Sequence, residues 1–179
     1  MAIVEHTLQP VYDQNANVLI LGTMPSPKSR EVGFYYGHPQ NRFWKVLADV
    51  FHEQPLLTVE DKIDFLHRHH LALWDVLKSC EIQGAEDASI KNPTPNDLTV
   101  ILKEANIEAI FTTGKKATDL YMKYIYPNIN IPAIALPSTS PANRRISDEQ
   151  LKEEYAKILN YLPHKEKKPF AINLLKPLR

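Results

Sequence analysis

The sequence predicts an α/β fold, a three-layer α/β/α sandwich around a central, mostly parallel, four-stranded sheet. Four short apolar runs alternate with segments whose apolar residues recur at helical spacing. Parallel strands need crossover connections, so this alternation indicates a parallel sheet with helices on both faces. The chain has 179 residues, 44% of them hydrophobic, which fits one domain with a substantial core.

The predicted elements begin with a strand at residues 17–21. The next element is a helix whose apolar spacing starts at Phe43. Thr58 and Asp61 then form a capping pattern that predicts the start of a second helix. A second strand is predicted at residues 71–76, since this run is apolar and short.

The second half of the chain continues the alternation. Thr94 is predicted as a helix N-cap, with Pro95 as the first helical residue. Strands are predicted at residues 107–114 and 131–141, and a helix at about 115–126 lies between them.

The last long helix is predicted to start at a capping box formed by Ser147 and Gln150. The whole chain, residues 1–179, is predicted to be one domain. Its core is expected at about residues 17–161, and the basic, proline-broken tail at residues 162–179 is expected to be a surface arm.

Composition argues against several classes of protein. The longest apolar runs are about five residues, too short to cross a bilayer, and the first residues lack the pattern of a signal peptide. One cysteine, Cys80, excludes an internal disulfide and a Cys-ligated metal site within one chain, and it fits a cytoplasmic location. A net charge of zero argues against a protein that coats nucleic acid, though not against a local basic patch.

The loop after the first strand is unusual. Three of the five glycines, Gly22, Gly33 and Gly37, lie between this strand and the helix at Phe43. Ligands of parallel sheets bind at the carboxyl ends of the strands, glycines allow close approach to the backbone, and aromatic rings offer stacking faces. The loop therefore favours a flat ligand such as a nucleobase. A Gly/Pro loop whose aromatic residues belong to the core is the alternative.

Four segments resemble a known family. The segments "GTMPS" (22–26) and "GFYYGHPQNRFW" (33–44) are similar to the first motif region of the uracil-DNA glycosylase superfamily. The segments "LWDVLKSCEIQGAEDASI" (73–90) and "PSTSPANRR" (137–145) resemble later motifs of its hypoxanthine-DNA (deoxyinosine) glycosylase branch. The resemblance covers roughly residues 18–159.

The resemblance implies base-excision repair of double-stranded DNA. A deaminated nucleotide is flipped out of the stack, and its N-glycosidic bond is hydrolysed through a transition state with negative charge on the leaving base. Hypoxanthine is the first expected base, and uracil or xanthine the second. No metal or other cofactor, no membrane contact and a monomeric state are expected. The alternatives are a uracil- or mismatch-specific glycosylase, a non-catalytic damaged-DNA-binding module, and a hydrolase of free nucleosides.

The resemblance also implies a catalytic residue. Uracil-directed relatives carry Asn or Asp where this chain has Met24, whose side chain cannot orient water. In the hypoxanthine branch the catalytic Asn lies in the "HPxNRFW" segment, which implies Asn41. Asn41 also directly precedes a predicted helix, so an N-cap is the alternative. Asp75, at the end of the second strand, could act on water or cap a turn.

The remaining predicted contacts form two groups. Tyr36 is expected to stack on the flipped base, and the other base-binding candidates are Gly22, Met24, Phe34 and His38. Small hydroxylated and basic residues are expected to bind DNA, namely Ser26, Lys28, Ser29, Ser138, Ser140, Asn143 and Arg144. Within this second group, Asn143 is a candidate wedge for the gap left by the flipped base.

Overall fold

The structure is a computed structural model that describes residues 2–163. Its strands are β1 (Ala2–Glu5), β2 (Val18–Gly22), β3 (Leu71–Asp75), β4 (Leu77–Ile82), β5 (Lys91–Pro95), β6 (Ala109–Thr113) and β7 (Ala133–Leu136). Its helices are α1 (Pro27–Val32), α2 (Phe43–Val50), α3 (Val59–Arg68), α4 (Thr99–Leu102), α5 (Lys115–Tyr124), α6 (Tyr126–Ile129) and α7 (Asp148–Tyr155). Short 3₁₀ turns span Asp87–Ser89 and Ala156–Tyr161.

The central sheet has four parallel strands in the order β3-β2-β6-β7. Strands β2 and β3 are buried along their whole length, which explains why their sequences are continuously apolar rather than alternating. Helix α3 packs on β3, α5 packs on β6 and β7, and α2 packs on α7. The predicted α/β class with a parallel four-stranded sheet is confirmed.

A second sheet was not predicted from the sequence. Strands β1, β4 and β5 form it in the order β1-β4-β5, and both pairings are antiparallel. Strand β4 follows β3 after Val76 alone, so this sheet begins where the central sheet ends. The buried Asn96 fixes the junction, because its Nδ2 donates to the carbonyl oxygens of Asp75 and Leu77 at 2.9 and 3.0 Å.

The prediction of a helix that starts at Thr94 and Pro95 is wrong. Both residues lie in β5, where Pro95 pairs with Leu77. The helix in this region is the single turn α4, and the carboxylate of Asp97 accepts from the backbone N–H of Thr99 at 3.0 Å. Pairing with β4 therefore outweighs a local helix-start signal.

Two other helix starts are confirmed. Thr58 and Asp61 form a reciprocal capping box at the start of α3. Ser147 and Gln150 form a second one at the start of α7. In both, the side chain of each residue accepts a hydrogen bond from the backbone N–H of the other, which satisfies donors that the first helical turn leaves free.

The described chain begins earlier than the predicted core. Strand β1 starts at Ala2, and the backbone of Val11 pairs with Leu73 of β3, so residues before 17 belong to the fold. From residue 164 on, the predicted surface arm at 162–179 lies outside the described residues. Within residues 2–163, no helix is long and apolar enough to cross a membrane.

Candidate active site

A cleft of about 300 Å³ opens at the carboxyl ends of the central strands. Gly22 ends β2, Asp75 ends β3, Thr113 ends β6, and Ser138 follows β7, and all four residues line the cleft. The loop after β2 supplies one wall, and the segment 138–142 supplies another. This is the position at which parallel α/β sheets bind ligands.

Asn41 lies in the cleft wall with its oxygen already engaged. Its Oδ1 accepts from the backbone N–H of Phe43 at 2.9 Å and from the hydroxyl of Thr139 at 2.8 Å. A carbonyl oxygen has two lone pairs, so these two donors use its accepting capacity. Within residues 2–163 the Nδ2 group of Asn41 has no hydrogen-bond partner. The predicted N-cap role is wrong for Asn41, because the N-cap of α2 is Arg42, and Asn41 binds the first helical N–H from one residue further back. Its Nδ2 is a donor that remains available at the cleft.

Asp75 lies at the floor of the cleft and is paired with His6. Asp75 Oδ2 lies 2.8 Å from His6 Nε2, and the two side chains are only 5% and 2% exposed. His6 directly follows β1, and its backbone N–H donates to Lys78 of β4. The second sheet therefore carries a histidine to the end of a central strand.

Gly22 is the point of closest approach at this floor. A Cβ on Gly22 would lie 2.6 Å from Asp75 Oδ1 and 2.8 Å from the hydroxyl of Tyr36, closer than real contacts allow. The absence of a side chain at Gly22 therefore makes room for Asp75 and Tyr36. Gly33 instead ends α1 in the left-handed conformation with φ 81°, and Gly37 packs against the side chain of Val32.

Tyr36 borders the cleft in a constrained conformation. Its φ is 52°, its ring stacks on Phe43 at a centroid distance of 3.8 Å, and its hydroxyl shares a 2.9 Å hydrogen bond with Thr113 Oγ1. Burial and the nearby charge of Asp75 raise the pKa of Tyr36 far above its usual value, so the phenol stays protonated. One ring face is covered by Phe43, and stacking on a base would use the other face.

Asp87 is a second carboxyl in the cleft wall. It lies in the 3₁₀ turn between β4 and β5 and keeps contact with solvent. Desolvation by the surrounding protein raises its pKa, Lys116 opposes this, and the charge of Asp75 adds to the rise. The cleft therefore contains two carboxyl groups whose environments differ.

Most of the predicted site residues lie in the cleft wall. Those brought together there are Gly22, Met24, Ser26, Ser29, Tyr36, His38, Asn41, Ser138 and Ser140. Phe34 was predicted to bind the base, but it is 7% exposed and belongs to the core. Its ring stacks on Trp44 at a centroid distance of 5.9 Å. Tyr35 is also buried, whereas Tyr36 borders the cleft, and the motif alone does not indicate which side chain turns inward.

The serines of the first loop have internal partners. Ser26 is the N-cap of α1, with its Oγ accepting from the backbone N–H of Ser29, and Ser29 Oγ accepts from the backbone N–H of Gly37 at 2.9 Å. Lys28 lies on α1 outside the cleft wall and pairs with Glu31 at 3.5 Å. The segment that carries these predicted DNA-binding residues is thus partly a capped helical turn, and DNA contact by them stays a prediction.

The loop after β7 is held by Arg42. The guanidinium donates to the backbone oxygens of Asn143 and Ile146 and pairs with Asp148 at 3.1 Å. The side chain of Asn143 donates to the carbonyl oxygen of Ser138 at 2.9 Å, so it braces the loop in this structure rather than projecting as a wedge. Arg144 is exposed beside it.

Sequence reasoning did not single out His6 or Asp87. Asp87 lies within the quoted segment 73–90, so its place in a motif was a usable signal. His6 lies outside the region of resemblance, and no local pattern marks it. Within residues 2–163, no group of three or more His, Cys, Asp or Glu residues is placed to hold a metal ion.

Comparison with known proteins identifies the family. Residues 9–162 match the family model described as the uracil DNA glycosylase superfamily. The chain belongs to the uracil DNA glycosylase superfamily. This membership confirms the predicted resemblance and the prediction of a DNA glycosylase, whose substrate is DNA.

Relatives of this glycosylase are similar over most of its length. A protein named hypoxanthine DNA glycosylase from Methanosarcina barkeri is 33% identical over 76% of this chain and 86% of its own. One of the same name from Methanosarcina acetivorans is 33% identical over 80% of this chain and 90% of its own. The solution NMR structure of a Methanosarcina acetivorans protein described as a uracil DNA glycosylase matches with TM-score 0.73 and 29% identity, over 88% of this chain and 99% of that one.

Proposed function

We propose that this chain is a monofunctional DNA glycosylase that removes hypoxanthine from double-stranded DNA by base flipping and hydrolysis. The observation that carries the proposal is the 33% identity, over 76% and 80% of this chain, to two relatives named hypoxanthine DNA glycosylase. The cleft supports it, because a hydrogen-bond donor from Asn41 and an acceptor from Asp75 lie in the same cavity. The monomeric state and the cytoplasmic location stay predictions.

Asn41 is the proposed catalytic residue, and it acts as a donor. Because its Oδ1 accepts from Phe43 and Thr139, it has no lone pair left to take a proton from water. Its Nδ2 donates instead to the leaving base, on which negative charge develops as the C1′–N bond breaks. A water oxygen then bonds to C1′ and loses a proton to solvent, and the departing base anion takes up a proton from solvent.

Met24 favours a second candidate, a damaged-DNA-binding module without catalysis. Met24 lies in the cleft wall at the position where uracil-directed relatives carry a polar residue. A module of this kind would retain a flipped base but would leave the glycosidic bond intact. The two candidates differ in one product, the abasic site.

A panel of duplexes tests the proposal. Each duplex carries hypoxanthine, uracil, xanthine or a thymine mismatch at one position, and strand breakage is scored after alkali treatment, in buffer containing EDTA. We expect efficient release of hypoxanthine and weak or no release of uracil. An Asn41→Ala preparation, purified identically, controls for contaminating glycosylases.

Each outcome of the panel has a clear meaning. Uracil release without hypoxanthine release would overturn the proposed base. Tight binding of the hypoxanthine duplex with no alkali-labile product would favour the binding module. Equal cleavage of free deoxyinosine, with no effect of competing duplex DNA at low salt, would indicate a nucleoside hydrolase instead.

A further inference from the structure

The mechanism above leaves the His6–Asp75 pair unused. The pair is buried, with side-chain exposures of 2% and 5%, yet Asp75 lines the cleft. Burying a carboxylate is costly unless it is paired, and here the partner comes from a different sheet. A buried pair that borders the reaction cavity calls for a functional explanation as well as a structural one.

The two oxygens of Asp75 have different surroundings. Oδ2 lies 2.8 Å from His6 Nε2. Oδ1 lies on the side of Gly22 and the Tyr36 hydroxyl, and it has no hydrogen-bond partner among residues 2–163. The hydroxyl of Tyr36 shares a hydrogen bond with Thr113 Oγ1 and forms none with Asp75 Oδ1.

His6 fixes the orientation of the Asp75 carboxyl group. An ionised carboxylate only accepts hydrogen bonds, so the contact requires a proton on His6 Nε2. The ring of His6 packs near Tyr35 and Trp74, with centroid distances of 6.0 and 6.3 Å. The carboxylate of Asp75 is therefore oriented with Oδ2 on the histidine and Oδ1 towards Gly22, which also lines the cleft.

An acceptor fixed at the cleft floor discriminates between classes of base. Deaminated bases are lactams and present a ring N–H at the edge next to their carbonyl oxygen, whereas adenine presents a bare ring nitrogen that can only accept. A carboxylate accepts from the first and repels the second, since two facing acceptors leave a buried charge unpaired.

We propose that His6 is a positioning residue that orients Asp75, so that Asp75 Oδ1 accepts the ring N–H of a flipped lactam base and excludes adenine. The inference rests on the proposed function and names the residues that select the base in that same cleft. It assigns a role to the N-terminal strand, because β1 delivers His6 to the end of β3. It distinguishes lactam bases from amino bases and does not rank hypoxanthine against uracil.

The first test uses the unmodified protein and three duplexes. They carry hypoxanthine, 1-methylhypoxanthine, which lacks the ring N–H, and adenine. We expect excision of the methylated base and of adenine to be at least about 100-fold slower than that of hypoxanthine, because neither has a ring N–H to donate to Asp75. Comparable excision of hypoxanthine and 1-methylhypoxanthine would overturn the inference and leave the proposed function intact. Failure to excise hypoxanthine would overturn the proposed function itself.

The second test uses coupled substitutions. In Asp75→Asn, the donor on His6 should hold the amide oxygen and turn the amide NH₂ towards the cleft, which replaces the acceptor with a donor. We expect hypoxanthine excision to fall at least about 100-fold, and the ratio of adenine to hypoxanthine excision to rise at least about tenfold. Adding His6→Leu frees the amide to turn, so the double variant should recover at least about tenfold over Asp75→Asn alone.

Two single substitutions at His6 and one control substitution at His69 complete the test. His6→Leu should slow hypoxanthine excision about tenfold, and His6→Gln, which keeps a donor, should restore most of that loss. His69→Leu is the control, because His69 Nε2 contacts Glu53 Oε2 at 2.7 Å outside the cleft wall. It should lower thermal stability without changing the ratios between bases.

The readout separates positioning from stability. Melting temperatures are measured for every variant, and only the ratios between bases are compared. A double variant no better than Asp75→Asn, or a His6→Leu protein with unchanged rates, would overturn the role of His6. If the substituted proteins do not fold, the comparison of bases with the unmodified protein still decides whether the ring N–H is recognised.

Discussion

Substitution of Asn41 separates two roles that its side chain combines. Its Oδ1 accepts from the backbone N–H of Phe43 and from Thr139 Oγ1, and its Nδ2 is the donor proposed for catalysis. Asn41→Ala removes all three interactions. Asn41→Asp keeps an oxygen for Phe43 and Thr139 and replaces only the NH₂ group. The two variants should therefore differ in stability and agree in rate.

The expected magnitudes follow from the lost contacts. Each intramolecular hydrogen bond contributes about 0.5–1.5 kcal/mol, so Asn41→Ala should lower the free energy of unfolding by about 1–3 kcal/mol. Asn41→Asp should stay close to the unmodified protein in stability. Removal of a donor to a developing anion costs roughly 10²–10³ in rate, so both variants should lose at least about tenfold in single-turnover excision of hypoxanthine.

The assay pairs urea unfolding with single-turnover excision on the same preparations. Thr58→Ala is the matched control, since Thr58 Oγ1 accepts from the backbone N–H of Asp61 at 3.0 Å and caps α3. It should cost about 1 kcal/mol in stability with no change in rate. An Asn41→Asp protein as fast as the unmodified one would refute donation by Nδ2. A destabilised Asn41→Ala protein with an unchanged rate would leave only a structural role, through the contacts with Phe43 and Thr139.

Two further predictions concern the floor and the rim of the cleft. Gly22→Ala should reduce hypoxanthine excision at least about tenfold, because its Cβ would lie 2.6 Å from Asp75 Oδ1; an unchanged rate would show that the floor can move. Lys28→Ala combined with Arg144→Ala should flatten the log–log salt dependence of duplex binding by about one to two units, at about 0.9 per lost phosphate contact. Lys103→Ala, at an exposed lysine that follows α4 outside the cleft wall, is the control and should leave the slope unchanged. Equal slopes for the unmodified protein, the double variant and Lys103→Ala would mean that these loops do not face DNA.

The central sheet could be predicted because its signals are local. Strands β2 and β3 are buried on both faces and therefore read as continuous apolar runs. The starts of α3 and α7 carry capping boxes whose partners are only three residues apart. In these elements the information that decides the structure lies within a few residues of sequence.

The second sheet could not be predicted, because its signals are distant. Strand β1 pairs with β4, about seventy-five residues later in the chain, and neither strand alternates clearly between apolar and polar residues. Pro95 is a strong local helix-start residue, and it becomes part of β5 only through pairing with Leu77. Long-range pairing of this kind leaves little trace in a single sequence.

The candidate site divides in the same way. Asn41 and Tyr36 could be predicted, because a family motif names their positions and the loop after β2 brings them to the cleft. Phe34, two residues before Tyr36, lies in the core instead, and the turn that separates the two includes the positive φ of Tyr36. His6 acquires its place only when β1 joins the second sheet.

The charge of Asp75 poses a problem that His6 helps to solve. As the glycosidic bond breaks, negative charge develops on the base, and a bare carboxylate against its ring would raise the barrier. His6 Nε2 lies 2.8 Å from Oδ2 of the same carboxylate, and its proton draws electron density away from the ligand. Asn41 donates to the base from a separate loop. Recognition by the His6–Asp75 pair and charge stabilisation by Asn41 are therefore held by different parts of the fold, so an acidic group can recognise the base without blocking its departure.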